Sequence, residues 1–204
     1  MNMFRFLLAL ATLVFVTPVH AQTVSSEYTQ LDVGDSCTVF DADEIGASFA
    51  CEGFKGYGIL FSEYDLRTSI FYGYVGDWYG EGAWESFQSF NSVNDTIEWR
   101  IHDGIPRATI LRWFVDHPDP GTGSPSENTR GQVLVVSKVA QAGDGDGEGC
   151  IIAYVDARAN ANANILARQA ADTLLDTFRC RIDEPSYVGD EGRFSGFPSR
   201  SFGP

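Results

Sequence analysis

From residue 37 onward, short apolar runs alternate with polar positions and are separated by turn-forming residues. Eight segments read as strands by their β-branched and aromatic content: 37–41, 47–51, 57–62, 67–74, 96–101, 107–115, 131–139 and 150–156. Thr96-Ile97-Glu98-Trp99-Arg100-Ile101 alternates strictly, which predicts a half-buried strand. Val133-Leu134-Val135-Val136 is continuously apolar and suits a central strand covered on both faces. Asp103-Gly104 between two of these runs signals a hairpin. Residues 117–128 hold three of the eight prolines and read as a surface loop, as do residues 143–149.

The pattern changes once. Over residues 160–178, Leu166, Ala170, Leu174 and Phe178 recur every four positions, with Ala167, Ala171 and Leu175 beside them. That predicts an amphipathic helix of nearly twenty residues, capped by Asn160 or Asn162, with Arg168, Asp172 and Asp176 outside the apolar stripe. Residues 22–31 read as a polar lead-in, and residues 183–204, rich in Gly, Ser and Pro, as a disordered tail. The expected fold is therefore a single α+β domain over residues 22–182. It has a mainly antiparallel sheet of about six to eight strands and one long C-terminal helix packed on it.

Residues 1–21 set the compartment. Arg5 precedes an apolar run from residue 6 to residue 16, and Val19-His20-Ala21 offers small residues at a cleavage position. This is the pattern of a secretory signal peptide, and the run is shorter than the roughly 20 apolar residues of a membrane span. The expectation is an exported, periplasmic or secreted protein, with no membrane insertion after cleavage. Four cysteines in such a chain read as two disulfides; zinc is the competing account, but no pair has CxxC spacing. Three connectivities are possible. A hairpin centred on Glu44 would oppose Cys37 and Cys51, and a helix returning antiparallel to its strand would bring Cys180 back to Cys150. Geometry therefore favours those two pairs.

The formal charge is −14, and removing Arg5 with the leader makes it −15. Nucleic acid and anionic membrane are disfavoured as partners, because both select basic patches. No cofactor is expected, with one reservation. Asp144, Asp146 and Glu148 alternate with glycines and match the start of a calcium-binding loop, but the twelfth position is Val155 where a bidentate Glu belongs. A flexible acidic hairpin loop is the plainer account, and any calcium site would be weak. The second candidate is the aromatic, Gly-rich stretch 71–90. There Trp78, Tyr79 and Trp84, with Asp77 and Glu81, could stack a sugar or other flat ligand and orient its hydroxyls. The competing account is a loop that folds its aromatics back over a sheet face.

Catalytic motifs are missing: the sequence has no Gly-x-Ser-x-Gly elbow, no HExxH and no phosphate-binding loop. His102 reads as a hairpin-end residue and His117 as a loop residue. The stretches 97–100 with 108–114, and 131–136 with 153–157, resemble a group of short exported bacterial proteins of unassigned function, over about residues 31–184. The resemblance implies a periplasmic setting and carries no activity, ligand or catalytic residue. Together these readings favour a non-catalytic binding or cell-envelope accessory protein, its partner a protein or a small-molecule or glycan ligand. The alternatives are an extracytoplasmic hydrolase using carboxylates or a histidine, and a weak calcium binder.

Overall fold

The computed structural model describes residues 22–80, 82–143 and 149–202. In chain order its elements are β1 (Val24–Gln30), β2 (Cys37–Ala42), β3 (Gly46–Cys51), β4 (Ile59–Tyr64), β5 (Arg67–Tyr72), α1 (Asp77–Gly80), β6 (Ala83–Phe87), β7 (Asn91–His102), β8 (Ile105–Val115), β9 (Gly131–Lys138), β10 (Ile151–Asp156), α2 (Ala163–Leu174), β11 (Ser186–Tyr187) and β12 (Pro198–Phe202). The fold is α+β, but the strands divide among three sheets. A six-stranded sheet runs β1-β7-β8-β9-β10-β11, a four-stranded meander runs β2-β3-β4-β5, and β6 pairs with β12. Every pairing between strands is antiparallel except β10 with β11. Asp103 and Gly104 both have positive φ, the conformation of a two-residue type I′ turn joining β7 to β8.

The six-stranded sheet is the middle of three layers. Along β9, Val133 and Val135 face the four-stranded sheet while Leu134 and Val136 face α2. The continuous apolar run is thus a strand covered on both sides. On the first face, Ile97, Trp99, Leu111 and Trp113 meet Ile59, Phe61, Ile70 and Tyr72 of β4 and β5. On the second, Ile110, Ile152 and Val155 meet Ala163, Ala167, Ala170 and Ala171, small residues that bring α2 close to the sheet. A bulge in β10 between Ile151 and Ala153 lets Ile152 and Ala153 face α2 together.

Both expected disulfides form. Cys37 and Cys51 are directly opposed across the β2–β3 ladder, with Cα atoms 4.2 Å apart, and Cys150–Cys180 ties the chain after α2 to the start of β10. Closing loops of this length contributes about 3 kcal/mol each.

Three expectations are corrected. First, α2 spans 12 residues rather than nearly twenty. At its start the Asn162 side chain makes no capping bond, and the Asn160 amide is engaged elsewhere. At its end, Leu175 and Phe178 still reach the core, but within a turn that leads Cys180 to its partner. Second, residues 24–30 are not a loose lead-in. They form edge strand β1 in register with β7, from Val24 opposite His102 to Gln30 opposite Thr96. Third, the segment expected to be disordered, from residue 183, is placed through residue 202. Point contacts hold it, not apolar periodicity. Asn160 donates to the Asp190 carbonyl and accepts the Asp190 N–H; buried Asp156 accepts the Gly192 N–H; Tyr187 donates to the Ser195 carbonyl. Gly131 permits the approach, since a Cβ there would lie 1.8 Å from the Phe194 carbonyl oxygen.

The most consequential tail contact is Arg200, whose Nε donates to the fully buried Glu85 carboxylate at 2.8 Å. Ending the chain after residue 182 leaves that carboxylate without its cation. Losing that cation together with the tail's buried hydrogen bonds lowers stability by about 2 kcal/mol or more, at roughly 1 kcal/mol per bond. Urea denaturation should show a loss of that order; a truncated chain as stable as the full one would mean that the tail adds no stability.

Candidate ligand-binding cleft

The outer face of the four-stranded sheet carries a polar row. Strand register places Asp41 opposite Ser48, Ser48 opposite Ser62, and Ser62 opposite Ser69, so four polar side chains cross the sheet side by side. A bulge between Val39 and Asp41 takes Phe40 out of register and sets Asp41 against Ser48. Tyr64 lies two residues beyond Ser62 on the same face, and Gly46 opposite it leaves room for its ring: a Cβ at Gly46 would meet Tyr64 Cδ1 at 2.6 Å. Strand β6 then docks on the far end of the row, where the Glu85 N–H donates to Ser69 Oγ at 3.1 Å.

Between this floor and residues 79–80 and 82–84 lies a cleft of about 520 Å³, lined by Phe40, Asp41, Ser48, Ser62, Tyr64, Tyr79 and Trp84 with small residues beside them. Its size falls within the roughly 300–1,000 Å³ of small-molecule sites. Four aromatic rings form its walls in two edge-to-face pairs, Phe40 with Tyr79 and Tyr64 with Trp84, both with centroids 6.4 Å apart. Tyr79 also packs edge-on against Phe71 at 5.6 Å, which fixes its ring from behind. Hydroxyls link the walls through the floor: Tyr79 Oη to Ser62 Oγ at 3.2 Å, Ser62 to Ser48 at 2.8 Å, Ser48 to Tyr64 Oη at 3.4 Å, and Tyr64 to Asp41 Oδ2 at 3.0 Å.

Of the ligand-binding candidates read from the sequence, Tyr79 and Trp84 come together in this cleft, and both are half-buried. Neither is swallowed by the core. The side chains of Asp77 and Trp78, and the whole of Glu81, lie outside the described residues. So do Asp144, Asp146 and Glu148, the calcium candidate. Sequence reading missed Phe40, Asp41, Ser48, Ser62 and Tyr64. One signal for them existed: pairing Cys37 with Cys51 sets a register that brings Asp41 close to Ser48.

The histidines sit elsewhere. His102 ends β7 beneath α2, where its Nε2–H donates to Asp172 at 3.1 Å and its Nδ1 faces the Gln22 amide nitrogen at 3.2 Å. Arg100 forks onto the same Asp172 and also donates to Ser26, while Arg168 forks onto Glu98. Ser26 donates its own proton to Glu98. Among the described residues no nucleophile is left facing His102, and the cluster works as an ionic seam joining β1, β7 and α2. His117 donates to the Phe194 carbonyl, and so it holds the tail. Comparison of the chain with protein families, characterised proteins and solved structures finds no match.

On β6, the alternation that turns Trp84 to the cleft turns Glu85 inward, where it accepts from the Ile151 N–H at 2.7 Å and from Arg200. Burial pushes its carboxyl up to about 7 from an ordinary value of 4.5, against the pull of Arg200 and the Ile151 N–H. The folded state therefore holds a proton that the unfolded chain releases between these values. Glu85's favourable contribution is complete below about pH 4.5 and is lost as pH rises through about 7. Unfolding free energies measured from pH 4.5 to 8 should show this fall in the wild type relative to Glu85→Gln; parallel curves would refute it.

Proposed function

We propose that this chain is an exported binding protein, a periplasmic or envelope-accessory module that holds a small-molecule or glycan ligand in the cleft beside β6 and acts without covalent chemistry. The single observation that carries the reading is the cleft itself, with Tyr79 and Trp84 held half-buried over a hydroxyl-lined floor. Large aromatics kept partly in solvent beside ordered polar groups suit recognition better than core packing. The compartment is supported by the two disulfides, which point away from the reducing cytoplasm, and by the leader-like residues 1–21. Among the described residues, no helix is long and apolar enough to cross a membrane.

Hydrolysis has less support. Among the described lining residues Asp41 is the single carboxylate, whereas glycoside hydrolysis uses a pair. His102 is engaged on both nitrogens, away from this cleft.

The test is native mass spectrometry of the mature protein exposed to a mixture of envelope glycans and small metabolites. The wild type should retain a ligand of unchanged mass. Trp84→Ala should retain it about 30-fold less well, the loss of roughly 2 kcal/mol that follows removal of a central aromatic contact. Equal retention by Trp84→Ala would remove the cleft from the function, and a cleaved product would favour the hydrolase.

A further inference from the structure

The hydroxyl chain has a direction, and the direction specifies the ligand. An ionised carboxylate has only acceptors, so the Tyr64 hydroxyl must give its proton to Asp41. Tyr64 Oη then accepts from Ser48, which leaves the Ser48 oxygen to accept from Ser62, and Ser62 in turn to accept from Tyr79. Each hydroxyl proton is thereby committed toward Asp41. What the row has left for a ligand is lone pairs, on the tyrosine and serine oxygens and on the second carboxylate oxygen. Outside this chain, the Trp84 indole is the one lining side chain among the described residues that carries an N–H or O–H.

We infer that the cleft takes a neutral saccharide, whose hydroxyls donate to the acceptor row from Asp41 to Tyr79 while an apolar ring face lies against the aromatic walls. The inference rests on the binding reading above and narrows it. Anions find no Lys, Arg or His among the described lining residues, and they meet Asp41 and a chain of formal charge −14. A cationic amine would be welcomed by the aromatic faces and the carboxylate, but it gathers its donors at one point. The row spreads its acceptors across β2, β3 and β4 and on to Tyr79. Its oxygens follow one another at 2.8–3.4 Å, strung out from Asp41 to Tyr79 instead of gathered at one point. Donors distributed along a sugar unit match that spread, and a single ammonium does not. Mixed aromatic and hydroxyl walls also suit a ring with one apolar face and a polar rim.

The experiment titrates the mature protein with three sets of probes. Cellobiose, maltose and chitobiose are neutral; putrescine and choline are cationic; glucose 6-phosphate and glucuronate are anionic. Tryptophan emission reports binding, and amide chemical shifts of residues 79–84 report its place. At least one neutral saccharide should saturate with shifts in 79–84, at least tenfold tighter than any charged probe. Asp41→Asn should weaken it at least tenfold, because an amide can donate to Tyr64 and undo the direction of the chain. Asp41 is exposed, so the melting temperature should hold. Ser62→Ala, which cuts the chain in the middle, should weaken the same saccharide. A charged probe that shifts residues 79–84 when no neutral sugar does would overturn the ligand class and leave the binding site standing. Failure of every probe to shift those residues would overturn both. Unchanged affinity in Asp41→Asn would refute the proton order.

Discussion

Burial of both faces of the six-stranded sheet is the constraint from which the rest of this molecule follows. Strands β8, β9 and β10 carry apolar side chains on each side, so one cover is not enough. A short helix with an alanine face lies close on one side, secured by Cys150–Cys180 and by the ionic seam to β7. The four-stranded meander covers the other side with Phe61, Ile70 and Tyr72. That meander meets the six-stranded sheet with its inner face alone. On its outer face Leu60 and Phe71 pack with Ala83 of β6, and beside them runs the polar row from Asp41 to Ser69.

A polar row on a flat sheet would be ordinary surface; β6 turns it into a cleft. The strand is anchored by the residue next to the one that forms the wall, with Glu85 reaching inward to Ile151 and Arg200 and Trp84 facing out. This anchor is costly by itself, since burial works against the ionised carboxyl. Its cation comes from β12, more than a hundred residues later, and Phe202 of the same strand packs with Phe71, Ala83 and Tyr79 behind the cleft. The C-terminal segment is thus part of the wall's foundation.

Much of this architecture was legible in the chain. All eight strands read from the pattern exist, both disulfides pair as hairpin and strand–helix geometry favoured, and β9 is covered on both faces. What escaped notice shares one physical character. Strand β1 is an edge whose side chains are largely exposed, so it has no apolar alternation to read. The tail is held by Asp156, Asn160 and Glu85, single polar groups far away in sequence, so its composition looks disordered while its contacts are not. Half of the cleft was visible, because Tyr79 and Trp84 stand out in a Gly-rich stretch. The other half was silent: a serine becomes a floor residue only through a register that no local pattern announces.

Among the described residues, two dense polar clusters contrast, and the difference between them separates a structural network from a candidate site. Beneath α2, Arg100, Arg168, Glu98, Asp172, His102 and Ser26 engage one another so fully that donors meet acceptors within the cluster. Such a network holds elements together and offers a ligand little. In the cleft, the chain of hydroxyls ends on a carboxylate, so protons run out before lone pairs do. Recognition needs unfilled valence held in a fixed place beside apolar surface. The cleft has it in Asp41, Ser48, Ser62, Tyr64 and Tyr79, set against Phe40 and Trp84, and the ionic seam does not.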